Sequence, residues 1–94
     1  MECVTISGIL EDDCKQKKDP NGNWCCNFTV ICEGVDIYGK TSHTYYICHC
    51  WKTEFANLKK GELVFINGSQ KISFPKGKPR IDVYVREIQN GGLK

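Results

Sequence analysis

The stretch TYYICHCWK, residues 44–52, constrains the fold of this 94-residue chain more than any other part. Side chains alternate between the two faces of a β-strand. One face of this stretch carries Tyr45, Ile47, His49 and Trp51, and the other carries Tyr46, Cys48 and Cys50. Because free cysteine packs as a small hydrophobe, we expect the cysteine face to point into a core and the aromatic face to be exposed. The alternative is a strand that is buried on both faces.

Length and composition predict one folded domain, residues 1–94, with a modest core. Hydrophobic residues make up 40% and charged residues 26% of the chain, proportions that argue against disorder. No apolar run is long enough to cross a membrane, and the first residues do not resemble a signal peptide, so we expect a cytoplasmic protein. The net charge of +2 is too small to indicate a nucleic-acid partner, so that argument depends on where the lysines lie.

Seven cysteines could indicate disulfides, zinc or catalysis. Their number is odd and most lie in strand-like runs, which favours reduced thiols in the core. Cys48, His49 and Cys50 lack the spacing of a structural zinc site, and alternation separates the histidine from both cysteines, so we expect no metal and no cofactor. The same alternation argues against a thiol–imidazole nucleophile, and the acidic run at 11–13 has no partner group, so we expect no enzymatic activity.

The hydrophobic pattern predicts an all-β chain of five strands. They cover residues 4–10, 24–33, 44–52, 62–74 and 81–88, with one short helix at 53–58 between the third and fourth. Gly8 and Gly68 interrupt two strands, as glycines do at barrel corners. This order is that of the five-stranded OB-fold barrel, which binds oligonucleotides on its strand 2–3 face and on loops 1–2 and 4–5. Those loops are predicted at 11–23 and 75–80, and both are rich in lysine.

Several sequence blocks resemble those of bacterial and phage single-stranded DNA-binding proteins. They are VTISGIL, PNG followed by NFTV, YYICHCWK, LKKGELVFING and IDVYVREIQ. The resemblance implies an OB fold, a homodimer or homotetramer, and binding of single strands without sequence preference during replication, recombination or restart. By position, Tyr45 and Trp51 match stacking aromatics of the family, and Phe74 falls near another. The chain lacks the family's long acidic-tipped tail and is also similar to the short primosomal replication proteins, so we expect a phage or mobile-element protein as readily as a chromosomal one.

Two sets of side chains form the predicted nucleic-acid site. Bases would stack on Tyr45, Trp51, Trp24, Tyr38, Phe74, Tyr84 and His49. Phosphates would be contacted by Lys15, Lys17, Lys18, Lys40, Lys71, Lys76, Lys78, Arg80 and Arg86. The parity of Trp24 places it on the core side of its strand, and His43 is expected in a loop where it could contact phosphate. The alternatives are an OB-fold protein-interaction module, such as a primosome-like accessory subunit, and an RNA-binding module.

Overall fold

The computed structural model describes residues 2–52 and 57–90 and shows an all-β fold. Its strands are β1 (Glu2–Leu10), β2 (Lys15–Lys18), β3 (Trp24–Val35), β4 (Thr41–Cys50), β5 (Leu63–Ser73) and β6 (Arg80–Asn90). They form one sheet in the order β1-β5-β6-β4-β3-β2, and β1 also pairs with β3. Five strands therefore close into a barrel, and β2 extends the sheet from the free side of β3. The only parallel pair is β4 with β6; all other described pairs are antiparallel.

The barrel core is built from the inward faces of the five closing strands. Its fully buried side chains are Leu10, Cys26, Val30, Cys48, Cys50, Val64, Ile66 and Val83. The expectation that the cysteine face of the opening stretch points inward is confirmed, since Cys48 and Cys50 are both fully buried. Burial raises the pKa of the Cys48 thiol, and it raises that of Cys14 to about 12, so these thiols stay protonated at neutral pH and pack as small hydrophobes.

Gly8 and Gly68 lie where two backbones approach closely. A Cβ at Gly8 would lie 2.4 Å from the carbonyl oxygen of Ile31, and one at Gly68 would lie 2.3 Å from that of Tyr84. The β5–β6 register shifts at Asn67/Gly68. Beyond Gly8, strand β1 pairs with β3 as well as with β5. The predicted irregularity at Gly68 is confirmed by this register shift, and Gly8 lies where β1 begins to pair with β3.

The β2–β3 and β3–β4 hairpins use the same five-residue turn, at residues 19–23 and 36–40. In each, the first residue is an aspartate whose Oδ1 accepts hydrogen bonds of 2.9 Å from the backbone N–H groups two and four residues later. The fourth residue is a glycine in the left-handed region, with φ of 85° at Gly22 and 79° at Gly39. The Pro-Asn-Gly signal predicted the first turn. The second was left open between a hairpin tip and a strand extension, and it is a hairpin tip.

Three details of the predicted fold need correction or stay untested. There are six described strands rather than five, because residues 15–18 form β2 instead of a loop. His43 lies within β4, with Nε2 3.6 Å from the carboxylate of Glu33, and not in a loop. The helix predicted at 53–58 falls mostly outside the described residues. Within 2–52 and 57–90, no helix is long and apolar enough to cross a membrane.

Trp24 lies on the core-side face of its strand, as its parity predicts, but is not part of the core. Its parity matches that of the buried Cys26, yet its side chain is 50% exposed. The reason is that β3 extends beyond its partner: the β3–β4 pairing begins at Cys26 and Cys50, whereas Trp24 pairs only with Lys18 of β2. The core-side face of β3 is therefore open to solvent at this position.

Candidate nucleic-acid interface

The outer face of β3, β4, β6 and β5 carries a row of polar and aromatic side chains. His49 of β4 pairs with Asn27 of β3 on one side and with Tyr84 of β6 on the other. Tyr84 pairs in turn with Ser69 of β5. Residues paired across a sheet point to the same face, so this row crosses four strands on the outside of the barrel.

Three rings in or next to this row form a surface that we call the aromatic platform: His49, Tyr84 and Trp51. The rings of His49 and Tyr84 are stacked, with centroids 5.3 Å apart and planes 24° apart. The rings of Trp51 and Tyr84 are also nearly parallel, at 6.4 Å and 17°. The indole of Trp51 is 44% exposed. The platform therefore consists of three nearly parallel rings, of which Trp51 is exposed and His49 and Tyr84 are half-buried.

The buried carboxylate of Asp82 fixes the His49 ring of the platform. The Nε2 atom of His49 lies 2.9 Å from Oδ1 of Asp82. Arg80 donates to both carboxylate oxygens of Asp82, at 3.1 to 3.3 Å. Burial opposes ionisation of Asp82, whose side chain is 12% exposed, but the hydrogen bonds from Arg80 and His49 outweigh it and hold the pKa of the carboxyl below its ordinary value. Since an ionised carboxylate only accepts hydrogen bonds, Nε2 of His49 carries a proton.

The second ring nitrogen of His49 is held by Asn27. Nδ1 lies 2.7 Å from Oδ1 of the amide, an oxygen that only accepts, so this contact is a hydrogen bond when Nδ1 also carries a proton. The thiol of Cys25 donates weakly to the same oxygen at 3.8 Å. The amide nitrogen of Asn27 is buried and has no hydrogen-bond partner among the described residues. Both edges of the imidazole are thus engaged, which restricts its rotation against Tyr84.

Trp51 is positioned by the β2–β3 turn. Its indole N–H donates to Oδ2 of Asp19 at 2.9 Å, while Oδ1 of the same carboxylate holds the turn. The bond from Trp51 contributes most to lowering the pKa of Asp19. One aspartate therefore connects the turn that follows β2 to the platform.

Tyr45 lies on the same face as the platform but belongs to a different patch. It pairs with Ile31, which pairs with Ile9, which pairs with Leu63. This apolar row runs around the barrel across β4, β3, β1 and β5. Tyr45 is 52% exposed and Ile9 is 48% exposed. The structure therefore separates the two aromatics that the resemblance to the family grouped together.

The predicted cationic residues of β2 divide between two faces. Lys15 pairs with Asn27 and Lys17 pairs with Cys25, so both lie on the platform face. Lys18 pairs with Trp24 and places its ammonium 5.3 Å from the centroid of the indole, on the opposite face. Trp24 and Lys18 therefore contact each other and not the platform.

The other predicted cations have several locations. Lys71 pairs with Asp82 on the platform face, and Arg80 is bound to the same carboxylate. Arg86 turns toward β1 and β5, with its guanidinium 3.5 Å from the carbonyl oxygen of Gly68. Tyr38 and Lys40 lie at the β3–β4 turn, and Phe74, Lys76 and Lys78 lie in the β5–β6 loop around a 3₁₀ turn at Pro75–Gly77. All five of these loop residues are exposed.

Three residues that support the platform were not predicted from the sequence: Asn27, Asp82 and Asp19. Asp82 carried a usable signal, because a carboxylate between Ile81 and Val83 in an apolar strand indicates a paired or coordinating group. Asn27 and Asp19 gave none, since polar residues in a turn or at the exposed parity of a strand are ordinary.

Comparison with known proteins bears on the fold. No protein-family model and no curated protein sequence matches the chain. Among solved structures, it is similar to the crystal structure of a small single-stranded DNA-binding protein from Streptomyces coelicolor, with a TM-score of 0.74 and 11% sequence identity. The match covers 94% of this chain and 90% of that chain. The chain therefore shares the barrel of that single-stranded DNA-binding protein, and its fold is an OB fold with one added strand.

Proposed function

We propose that the protein binds single-stranded DNA, with little sequence preference, on the outer face that carries the aromatic platform. The observation that carries the proposal is the parallel stacking of His49, Tyr84 and Trp51 on an open barrel face. Every base has a π-face, so stacking on such rings binds single strands of any sequence, at ~1–3 kcal/mol per base. The solved structure with the same fold is named as a single-stranded DNA-binding protein, which agrees with this function.

Phosphates would be contacted by lysines at the edges of this face. Lys15 and Lys17 lie along one edge, beside Asn27 and Cys25. Lys76 and Lys78 lie in the β5–β6 loop, which leads into the strand that carries Tyr84. Neutralising phosphates releases counterions, so affinity should fall steeply as salt rises. Arg80 contributes less, because Asp82 already binds its guanidinium.

We also propose the cellular role that the sequence resemblance implies. The protein would coat or hold single strands during replication, recombination or restart, as a homodimer or homotetramer in the cytoplasm, in a phage, a mobile element or a chromosome. The mass of the free protein in solution tests the oligomer directly. A monomer at all concentrations would contradict that part of the proposal and leave the binding face intact.

Tryptophan fluorescence tests the binding face. In a Trp24→Phe variant, Trp51 is the only tryptophan, so its emission reports the platform alone. Titration with a dT oligomer at low salt should quench this emission to saturation, and added salt should restore it. Binding measured by anisotropy of a labelled oligomer, with no change in Trp51 emission, would contradict stacking on the platform. A U oligomer in parallel measures whether RNA binds equally well.

Substitution of a platform ring measures how much base stacking contributes to the binding affinity. Removing one stacked ring by Trp51→Ala should weaken binding of the dT oligomer by about 5- to 150-fold, the equivalent of ~1–3 kcal/mol. The matched control is Trp24→Ala, which removes an indole of similar exposure from the opposite face of β3. Equal losses for the two variants would show that the platform has no special role.

A second candidate function is a protein-interaction module. It is favoured by the apolar row of Leu63, Ile9, Ile31 and Tyr45, because exposed contiguous apolar surface is typical of protein interfaces. In that case, neither dT nor U oligomers would bind at low salt, and the platform would serve only to stabilise the sheet.

A further inference from the structure

The tip of the β3–β4 hairpin exposes two large apolar side chains that have no role in its turn. Ile37 is 91% exposed and Tyr38 is 88% exposed. The turn itself depends on Asp36 and Gly39, through the hydrogen bonds of the aspartate and the positive φ of the glycine. The β2–β3 hairpin forms the same turn with Pro20 and Asn21 at the two equivalent positions. The geometry of the turn therefore does not require apolar residues at the tip.

A groove on the flank of the barrel has a complementary character. It lies where β1 meets β3, has a volume of about 550 Å³, and is lined by Ile9, Leu10, Glu11, Asp12, Ile31 and Lys60. Its floor is apolar, and Ile9 is 48% exposed there. Two carboxylates and one ammonium group lie at its rim. The groove could take one or two apolar side chains and a neighbouring cation.

We propose that the hairpin tip of one copy inserts into this groove of the next copy when both are bound to the same single strand. This inference rests on the proposed function. Ile37 and Tyr38 would cover the apolar floor, and Lys40 would approach Glu11 and Asp12. The carboxylate of Asp36 already accepts hydrogen bonds from backbone N–H groups of its own turn. The partner that this tip fits is therefore a second copy of the chain.

The tip cannot occupy the groove of its own copy. Ile31 of the groove lies four residues before Val35, where β3 ends, which is about 13 Å of extended strand. The hairpin stays paired up to Val35 and Thr41, and so it cannot fold back onto the barrel. Tip and groove are different surfaces, so the contact is head-to-tail. Repetition of such a contact generates an open chain of copies, which suits a protein that coats a polymer.

The contact is too small to join free copies. Two side chains in a groove bury much less than the roughly 1,000 Å² that a stable interface needs. Copies on one strand, however, have a mutual effective concentration in the millimolar range, at which a weak contact becomes significant. The expected result is cooperative binding to long strands and no effect on a strand that holds one copy.

The experiment compares a dT oligomer that holds one copy with a long dT strand. Ile37→Asn should lower the cooperativity of binding to the long strand by about tenfold or more, and change the affinity for the short oligomer by less than about twofold. Ile9→Thr, on the groove side, should do the same. The matched control is Ile72→Thr on β5, since Ile72 is 50% exposed but lies outside tip and groove. It should leave both measurements unchanged.

Mixing the two variants tests the head-to-tail geometry. An Ile9→Thr copy keeps an intact tip, and an Ile37→Asn copy keeps an intact groove. Of the junctions between one copy of each kind, half therefore bring an intact tip to an intact groove. An equal mixture should therefore bind the long strand more cooperatively than either variant alone. The double variant should lose no more cooperativity than the single variants.

The outcomes separate this inference from the proposed function. If the wild type does not bind the short oligomer, the proposed function fails. If the short oligomer binds normally but Ile37→Asn leaves cooperativity unchanged, the inference alone is overturned. It is also overturned if Ile37→Asn weakens binding of the short oligomer, since the tip would then contact nucleic acid, or if mixing restores nothing.

Discussion

The carboxylate of Asp82 offers the sharpest test of how the platform is held. In Asp82→Asn the side chain keeps its shape but loses its charge. The wild-type carboxylate is bound by Arg80 at 3.1 to 3.3 Å and by His49 at 2.9 Å, and Asp82 is only 9% exposed. With its oxygen at the Oδ1 position, the amide can still accept from both His49 and Arg80. Its NH₂ group at the Oδ2 position would face the Nε–H of Arg80, which is also a donor.

The magnitude follows from these two contacts. A hydrogen bond to a charged group contributes roughly 1.5–3 kcal/mol and a neutral one roughly 0.5–1.5 kcal/mol. The His49 contact loses the carboxylate charge and with it about 1–1.5 kcal/mol, and the Arg80 contact, in which the guanidinium stays charged, loses part of the same amount. The side chain of Arg80 is 47% exposed, so water replaces part of what it loses. We therefore expect Asp82→Asn to lower the free energy of unfolding by about 2 kcal/mol at neutral pH.

The effect should depend on pH in a defined direction. The folded-state pKa of Asp82 is below its unfolded value, so its contribution is present above the unfolded pKa, near 3.9, and is lost as pH falls through the folded pKa. Urea denaturation of wild type and variant should give a difference at neutral pH that closes below about pH 4. The control is Asp12→Asn at an exposed site, expected within about 0.5 kcal/mol of wild type. A difference for Asp82→Asn below 0.5 kcal/mol, or one independent of pH, would refute the reasoning.

Three further changes have defined outcomes. Gly68→Ala should lower the free energy of unfolding by about 2–3 kcal/mol, because its Cβ would lie 2.3 Å from a backbone oxygen. The control Gly34→Ala, whose Cβ would have its nearest neighbour at 3.7 Å, should change stability little. Equal denaturation midpoints for the two variants would contradict this prediction. Lys76→Gly should raise the free energy of unfolding by about 0.5–1 kcal/mol, since a left-handed φ of 54° is unfavourable for lysine; a lower midpoint would contradict it. Replacing both Lys15 and Lys17 by Gln should reduce the slope of log affinity against log salt by about 1.4, and an unchanged slope would exclude phosphate contacts there.

The alternation of side chains predicted the parts of the fold that depend on local periodicity. The inward faces of β3, β4 and β6 were predicted correctly, and so was the irregularity at Gly68. These features depend on burial along a single strand. Periodicity indicates burial well when one face of a sheet meets a core.

Features that depend on which strands lie side by side could not be predicted from the alternation of side chains. Strand β2 was missed because KQKK has no apolar face, and it is a strand only because β3 offers a free edge. The exposure of Trp24 depends on where β4 ends. The platform depends on the parallel pairing that puts Tyr84 of β6 beside His49 of β4, two residues 35 positions apart in the chain.

Backbone amide shifts in the presence of nucleic acid would test the central claim most directly. With a short dT oligomer at low salt, the largest shift changes should fall on the outer face around Asn27, His49 and Tyr84. The β1–β5 side of the barrel, around Thr5 and Phe65, should change little. Largest changes around Thr5 and Phe65, with His49 and Tyr84 unaffected at saturation, would contradict the claim that the platform face binds the strand.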